Sequence, residues 1–288
     1  MAVKTAIIAA AGFGTRMLPA TKAQPKEMIT IVDKPAIQYV VEEAVAAGIE
    51  NIIFVTSFGK EALENHFDRN FELEVKLKAK GKKKELEQIT KLNELANISY
   101  VRQKEQLGDG HAVLTAVPFI ERHEPVATMF ADDVLDAKTP GLKQVIDTYN
   151  KYEDPVFMAA RVPKKDVTKY GVVDGIELDK ETWQVEKFVE KPAIKEAPSN
   201  LVHIGRGVLS PDFVATLGKV KPGKDGEIRL ANAYDEWIRA GRVLYARVLD
   251  GEWLGCGNKL QLIKSSIHYG IKDPDIKAEL KKYLKKVC

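Results

Sequence analysis

Thr5-Ala6-Ile7-Ile8-Ala9-Ala10-Ala11-Gly12-Phe13-Gly14-Thr15-Arg16 is the stretch whose reading decides the fold. Thr5 to Ile8 is an apolar, partly β-branched run and predicts a buried strand. The strand empties into a turn of small residues that ends in an arginine. Gly12 and Gly14 let the backbone approach a ligand closely with its N–H groups exposed. Arg16 can fork onto phosphate oxygens, and Lys26, in the nearby Pro25-Lys26, can act as a point charge. A polyanion is the natural guest of such a turn. The alternative is that the glycines serve only tight strand–helix packing.

Two better-known glycine motifs do not fit. The dinucleotide fingerprint needs a third glycine where this chain has Met17, and the Walker loop needs Gly-Lys-Ser/Thr after four spacer residues. Downstream, Ala36 to Gly48 carries apolar residues at helical spacing and stops at a glycine. Ile52 to Thr56 reads as the next strand, Lys60 to Phe67 as a helix, and Ile98 to Arg102 as a strand again. Leu107-Gly108-Asp109-Gly110 opens a further helix, and Val126 to Ala131 is a strand ending in Asp132-Asp133. This alternation predicts an α/β fold, Rossmann-like, with a mixed, mostly parallel central sheet flanked by helices.

A helix from Pro140 to about Tyr152 precedes a change of texture. Val156 to Ala160, Gly171 to Val173 and Val185 to Val189 read as strands without intervening helices. They predict a small antiparallel β subdomain, about 155–210, laid against the first sheet. Leu201 to Leu209 is another strand, after which Ser210-Pro211 supplies a capping residue and a first-turn proline. Val243 to Val248 and a terminal helix over Asp275 to Lys286 complete the pattern. The expected organisation is one domain over 1–270 and a helical tail over 271–288.

The 288 residues can bury a substantial core, and 45% hydrophobic with 30% charged residues is globular composition. A net charge of +3 does not argue for nucleic acid. Lys76 to Lys84 holds six lysines, but no aromatic is interleaved and Glu85 and Glu87 follow, so it reads as a solvated helical face. Cys256 and Cys288 give no disulfide framework. With no signal-type apolar segment and no run of membrane-spanning length, the cytoplasm is the expected address.

Three further places carry candidate chemistry. Gln103 stands at the carboxyl end of a strand, where ligands of open α/β sheets sit, and its amide suits the edge of a base. Asp132-Asp133 matches the anionic oxygen a hard cation wants beside a phosphate, and equally matches the opening of a turn. In Glu190-Lys191-Pro192 a carboxylate can accept sugar hydroxyls while the ammonium pairs with a phosphate. The alternative there is a surface ion pair ahead of a proline.

Gly12-Phe13-Gly14-Thr15-Arg16 with Pro25-Lys26 resembles the signature of the sugar-nucleotide pyrophosphorylases. The run Met17 to Met28, then Ile31 to Pro35 and Ile37 to Glu43, narrows the resemblance to the bacterial UTP–glucose-1-phosphate uridylyltransferases, or UDP-glucose pyrophosphorylases. It covers nearly the whole chain. The resemblance implies the nucleotide-diphospho-sugar transferase type of fold. It places the nucleotide against Ala10, Ala11, Gly12, Gly14, Thr15, Gln103 and Gly108, with Gln103 and Gly108 on the uracil edge. It places glucose 1-phosphate on Gly171, Glu190 and Lys191, and magnesium on Asp132. Arg16, Lys26, Asp132 and Lys191 are then the catalytic set. The chain departs from the family at Asp109, commonly leucine, at Ala231-Asn232, commonly Thr-Asp, and at Gly255, commonly an aspartate used as a second metal ligand.

The implied reaction joins UTP and glucose 1-phosphate into UDP-glucose and pyrophosphate, with Mg²⁺. The nucleophile is a phosphate oxygen that is already ionised, since a phosphate monoester's second pKa is about 6. No general base is required, only two polyanions held in line at the α-phosphorus. A same-fold enzyme using another NTP or sugar 1-phosphate, such as a glucose-1-phosphate thymidylyltransferase, is one alternative. A catalytically weak regulatory paralogue that binds nucleotide sugars is another. A homodimer or homotetramer is expected, with neither nucleic acid nor membrane as a partner.

Overall fold

β1 (Thr5–Ala9) sits inside a nine-stranded sheet because both of its faces are apolar, Ala6 and Ile8 entering one core and Ile7 the other. The computed structural model describes residues 2–121, 123–223 and 225–287. Cys288, one of the two cysteines, lies outside the described residues, while Cys256 is a buried free thiol.

The glycine-rich segment after β1 leads through short turns to a two-stranded ribbon, β2 (Thr30–Ile31) and β3 (Lys34–Pro35), and then α1 (Ala36–Ala46). β4 (Asn51–Thr56) is followed by three helices, α2 (Glu61–Phe67), α3 (Phe71–Ala79) and α4 (Lys83–Asn93). The lysine run spans the end of α3, a turn at Gly81 and the start of α4, all solvent-exposed. β5 (Asn97–Arg102), α5 (Asp109–Ala116), β6 (Val126–Phe130), β7 (Asp133–Asp136) and α6 (Gly141–Tyr152) come next. The later half holds β8 (Val156–Arg161), β9 (Gly171–Glu177), β10 (Thr182–Glu190) and β11 (Leu201–Leu209). α7 (Pro211–Leu217) is capped by the Ser210 hydroxyl, which accepts from Phe213 N, as the sequence suggested. α8 (Leu230–Arg239), β12 (Tyr245–Val248), β13 (Glu252–Gly255), α9 (Lys259–Gly270) and α10 (Lys277–Val287) finish the chain.

The sheet order is β5-β4-β1-β6-β11-β8-β12-β10-β9. β5, β4, β1 and β6 are parallel, and β11 is antiparallel to both β6 and β8. The chain first builds outward from β1 through β4 to β5 and then returns to its other side with β6. The β1–β6 junction is therefore the switch point, and a crevice opens outside the carboxyl ends of those strands. The antiparallel strands expected after residue 155 are present, but they extend this sheet and do not stand apart from it. β11 explains why: its residues are almost all buried, and it bonds β6 on one side and β8 on the other. β9 also returns to the start of β11 through Leu201↔Val173 and Val202↔Val172.

Two apolar cores flank the sheet. One joins Ile8, Phe54 and Ile204 to α1 and α6, the other joins Ile7, Phe157 and Leu209 to α5, α7 and α8. Among the described residues no helix is long and apolar enough to cross a membrane. α10 contributes no buried residue and lies on the surface.

Candidate active site

A cavity of about 490 Å³ opens at the switch point. Its walls bring together residues from widely separated stretches of sequence. Ala11, Gly12 and Arg16 come from the loop after β1, and Lys26 from the turn before β2. Gln103 and Gly108 flank the β5–α5 connection, Asp132 follows β6, and Gly171, Glu190 and Lys191 come from β9 and the end of β10. Ala10, Gly14 and Thr15 belong to the same loop without lining the cavity.

The loop's shape has local causes. Gly14 has φ 65°, and a Cβ there would stand 2.8 Å from the Lys26 Cβ, so only glycine lets the two turns close on each other. Thr21 Oγ1 donates to Gly14 O at 2.8 Å and holds that closure. Gly108 has φ 100° and a would-be Cβ only 2.5 Å from Ile228 O, which brings the β5–α5 turn against the segment leading into α8. Gln103 Nε2 donates to Gly108 O at 3.1 Å, fixing the amide at the rim.

Lys26 and Asp132 meet at 2.8 Å, with both side chains largely buried. Burial works against each charge, but their mutual attraction prevails. The ammonium is held above its usual 10.5, and the carboxyl below its usual 3.8 with help from Arg16. Asp133, next along, behaves oppositely. Burial and the neighbouring Asp132 charge raise it, against donors from Trp253 Nε1 at 2.8 Å and Gly205 N at 3.0 Å. The pair of aspartates is thus divided: Asp132 faces the cavity as a carboxylate and Asp133 anchors the turn.

Glu190 and Lys191 are adjacent and still both line the cavity, although successive strand side chains normally alternate faces. Lys191 has φ 45°, a left-handed backbone that turns the chain at the end of β10 and brings its side chain round beside Glu190. Its amide donates to Tyr170 O at 3.0 Å, and Nζ lies 3.2 Å from Glu190 Oε1. Opposite, a Cβ on Gly171 would come within 2.4 Å of Phe188 Cζ, so the wall is bare backbone at that point.

The three departures also acquire a structural meaning. Asp109 is half-buried and accepts from Gly110 N at 2.8 Å and Leu230 N at 3.0 Å, so it ties the start of α5 to the start of α8. Ala231 lines the cavity from α8. Gly255 pairs with Asp133 across β13–β7, and a Cβ built on it meets nothing closer than 3.5 Å. A Cβ there would sit at ordinary contact distance from Asp132 O and Gln261.

Several supporting residues escape a reading by motif. Lys60 is buried and donates from Nζ to Gly12 O and to Glu27 Oε1, each at 2.8 Å. Ser57 Oγ donates to Ala11 O at 2.9 Å. Together they moor the glycine-rich loop to the end of β4. Arg206 is fully buried and spends five N–H bonds on Glu43 (Oε1 3.0 Å, Oε2 2.6 Å) and on the carbonyls of Gly205, Phe130 and Asp133. The last two carbonyls bracket Asp132. An arginine inside the apolar run Leu201 to Leu209 was the available signal, since a charge there must be paired.

Residues 5–270 match the family model described as Nucleotidyl transferase. A protein of Staphylococcus haemolyticus named UTP–glucose-1-phosphate uridylyltransferase is 46% identical over 285 residues, covering 99% of this chain and 98% of the relative. A solved structure titled UTP-bound UGPase from Acinetobacter baumannii superposes with a TM-score of 0.89 at 38% identity, over 99% of this chain and 100% of that one. A crystal structure of a UDP-glucose pyrophosphorylase complexed with UDP-glucose gives a TM-score of 0.85 at 38% identity, over 94% of this chain and 100% of that one.

Proposed function

Because the chain belongs to the nucleotidyl transferase family, we propose that it joins UTP and glucose 1-phosphate into UDP-glucose and pyrophosphate by in-line attack at the α-phosphorus. The observation that carries this reading is the convergence of Arg16, Lys26, Asp132, Glu190 and Lys191 on one cavity at the switch point. No acid–base dyad is needed, because the sugar phosphate enters as a ready nucleophile above its second pKa of about 6.

Each residue then has a task. The base lies toward Gln103 and Gly108, and the loop Ala10–Thr15 carries the nucleoside and the first phosphates. Arg16 and Lys26 neutralise the departing pyrophosphate, where charge grows as the bond breaks. Glu190 accepts sugar hydroxyls, and Lys191 draws the attacking phosphate toward the α-phosphorus. Lys60, Ser57 and Arg206 position the loop and Asp132 without touching substrate.

Mg²⁺ suits the donor set. Asp132 is a cavity carboxylate beside the cationic loop, and this ion binds through one or two carboxylates together with substrate phosphates and retained waters. Asp132 would hold it, with Gly255 contributing no ligand, and when bound it supplies charge neutralisation on the phosphates. A homo-oligomer remains part of the proposal, with the surface helix α10 as its contact. Purified protein given UTP, glucose 1-phosphate and magnesium should release pyrophosphate, with UTP preferred over dTTP, CTP and ATP. No pyrophosphate under those conditions would refute the reading and favour a binding paralogue.

A further inference from the structure

Along β11 the side chains alternate between the two cores. Leu201 and Leu209 belong to the core under α7 and α8, while Val202, Ile204 and Val208 belong to the other. His203 falls on the first of these faces, where an apolar residue would be the default. Its ring lies among four aromatic rings, with centroids 5.0 Å from Phe157, 5.7 Å from Tyr234 and 6.0 Å from both Phe130 and Phe188. Burial alone drives its pKa down to about 4, so the imidazole is neutral at physiological pH.

Among the described residues no protein atom hydrogen-bonds either ring nitrogen, and neither nitrogen is sealed off from space. The ring lines the cavity. Its nitrogens bond nothing else in the described chain and open onto the cavity, so they are free to meet a ligand there.

Register says which part of the cavity it serves. β11 and β9 pair at Leu201↔Val173 and Val202↔Val172, which brings the next residues along, His203 and Gly171, to the same end. Gly171 pairs in turn with Glu190 on β10, and Phe188 packs against both Gly171 and His203. His203 therefore stands beside Gly171 and Glu190.

We propose that His203 is a specificity-determining residue of the sugar subsite, offering one ring nitrogen to a hydroxyl of the hexose. The assignment rests on the reading of this cavity as a glucose 1-phosphate site. Phe157, Phe188 and Tyr234 hold the ring so that little rotamer freedom is lost when the sugar binds. A site built to bond a hydroxyl penalises an analogue that lacks it, because its own polar group is left unpaired.

The test uses the full-length protein and steady-state kinetics with a panel of monodeoxy glucose 1-phosphates. Wild type should lose about tenfold or more in kcat/KM on one analogue in particular. His203→Val should raise KM for glucose 1-phosphate by about tenfold, leave KM for UTP within about twofold, and show no further loss on that same analogue. His203→Gln, which keeps a hydrogen-bonding amide, should recover part of the loss and serves as the second variant should the valine protein fail to fold. An unchanged KM for glucose 1-phosphate in both variants, or a wild-type pattern across the panel, overturns the assignment. Absence of turnover by the wild-type chain overturns instead the functional reading beneath it.

Discussion

Replacing Lys60 with methionine keeps the length of the side chain and removes its charge. The partner left behind is Glu27, fully buried, one of whose carboxylate oxygens already has no hydrogen-bond partner. Breaking a buried ion pair from one side typically costs about 3–5 kcal/mol, because the remaining charge is uncompensated. For a chain of 288 residues, an unfolding entropy of about 2.1 cal/mol/K per residue gives roughly 0.6 kcal/mol/K. The expected fall in Tm is therefore about 5–8 °C, read by differential scanning calorimetry or by circular dichroism. The same substitution removes the tether on Gly12 O, so turnover should fall about 10²-fold from misplacement of the loop. Lys60→Met combined with Glu27→Met separates the two effects. Tm should largely recover, since an apolar pair replaces the ionic one, while turnover should stay low. A single variant with Tm within about 1 °C of wild type and full turnover would refute the reasoning. A double variant that regained turnover would refute the tether.

Arg16→Ala and Lys26→Ala should each lower kcat by roughly 10²–10³-fold with the circular dichroism spectrum unchanged, and near-normal rates would remove the leaving-group assignment. The pH dependence follows from the signs of two shifts. Asp132, held below 3.8, contributes its ionic contact above that value and loses it as pH falls through the lowered pKa. Lys26, held above 10.5, contributes below that value and loses it as pH rises through the raised pKa. Neither titrates between about pH 5 and 9, so the acid limb of kcat/KM for glucose 1-phosphate should sit near pH 6 and belong to the substrate. A methylene phosphonate analogue with a higher second pKa should move that limb upward, and an unmoved limb would point to an enzyme group. Gly255→Asp places its Cβ without a clash and should lower the magnesium concentration needed for half-maximal rate, with tighter Mn²⁺ binding by electron paramagnetic resonance. An unchanged metal requirement would place that carboxylate out of reach.

Much of the fold was legible because the first strands carry their signal locally. Ile7 and Ile8 must both be buried, and the glycines and Arg16 follow at once. The alternation of strand and helix then implies a parallel sheet through the short-connection rules. The later strands were also legible as strands, but their membership in the same sheet was not. That membership depends on β11 pairing with β6, whose partners lie more than seventy residues apart, and no local pattern encodes it. Cavity-lining residues that belong to motifs were found in advance, whereas Lys60, Arg206 and His203 were not. Each acts through a contact with a distant segment: Lys60 with Gly12 and Glu27, Arg206 with Glu43 and Asp133, His203 with Phe188 and the cavity. The polar residues inside β11 were the visible anomaly. Asp109 is the converse case, a departure from the family pattern that proves to be a tie between two helix starts.

Crystals soaked with UTP in the absence of the sugar phosphate give the most direct test of the account. The expected map has the uracil against Gln103 and Gly108 and the β- and γ-phosphates against Arg16 and Lys26. A triphosphate bound away from the glycine-rich loop, or reversed with its base on the Glu190 side, would contradict it.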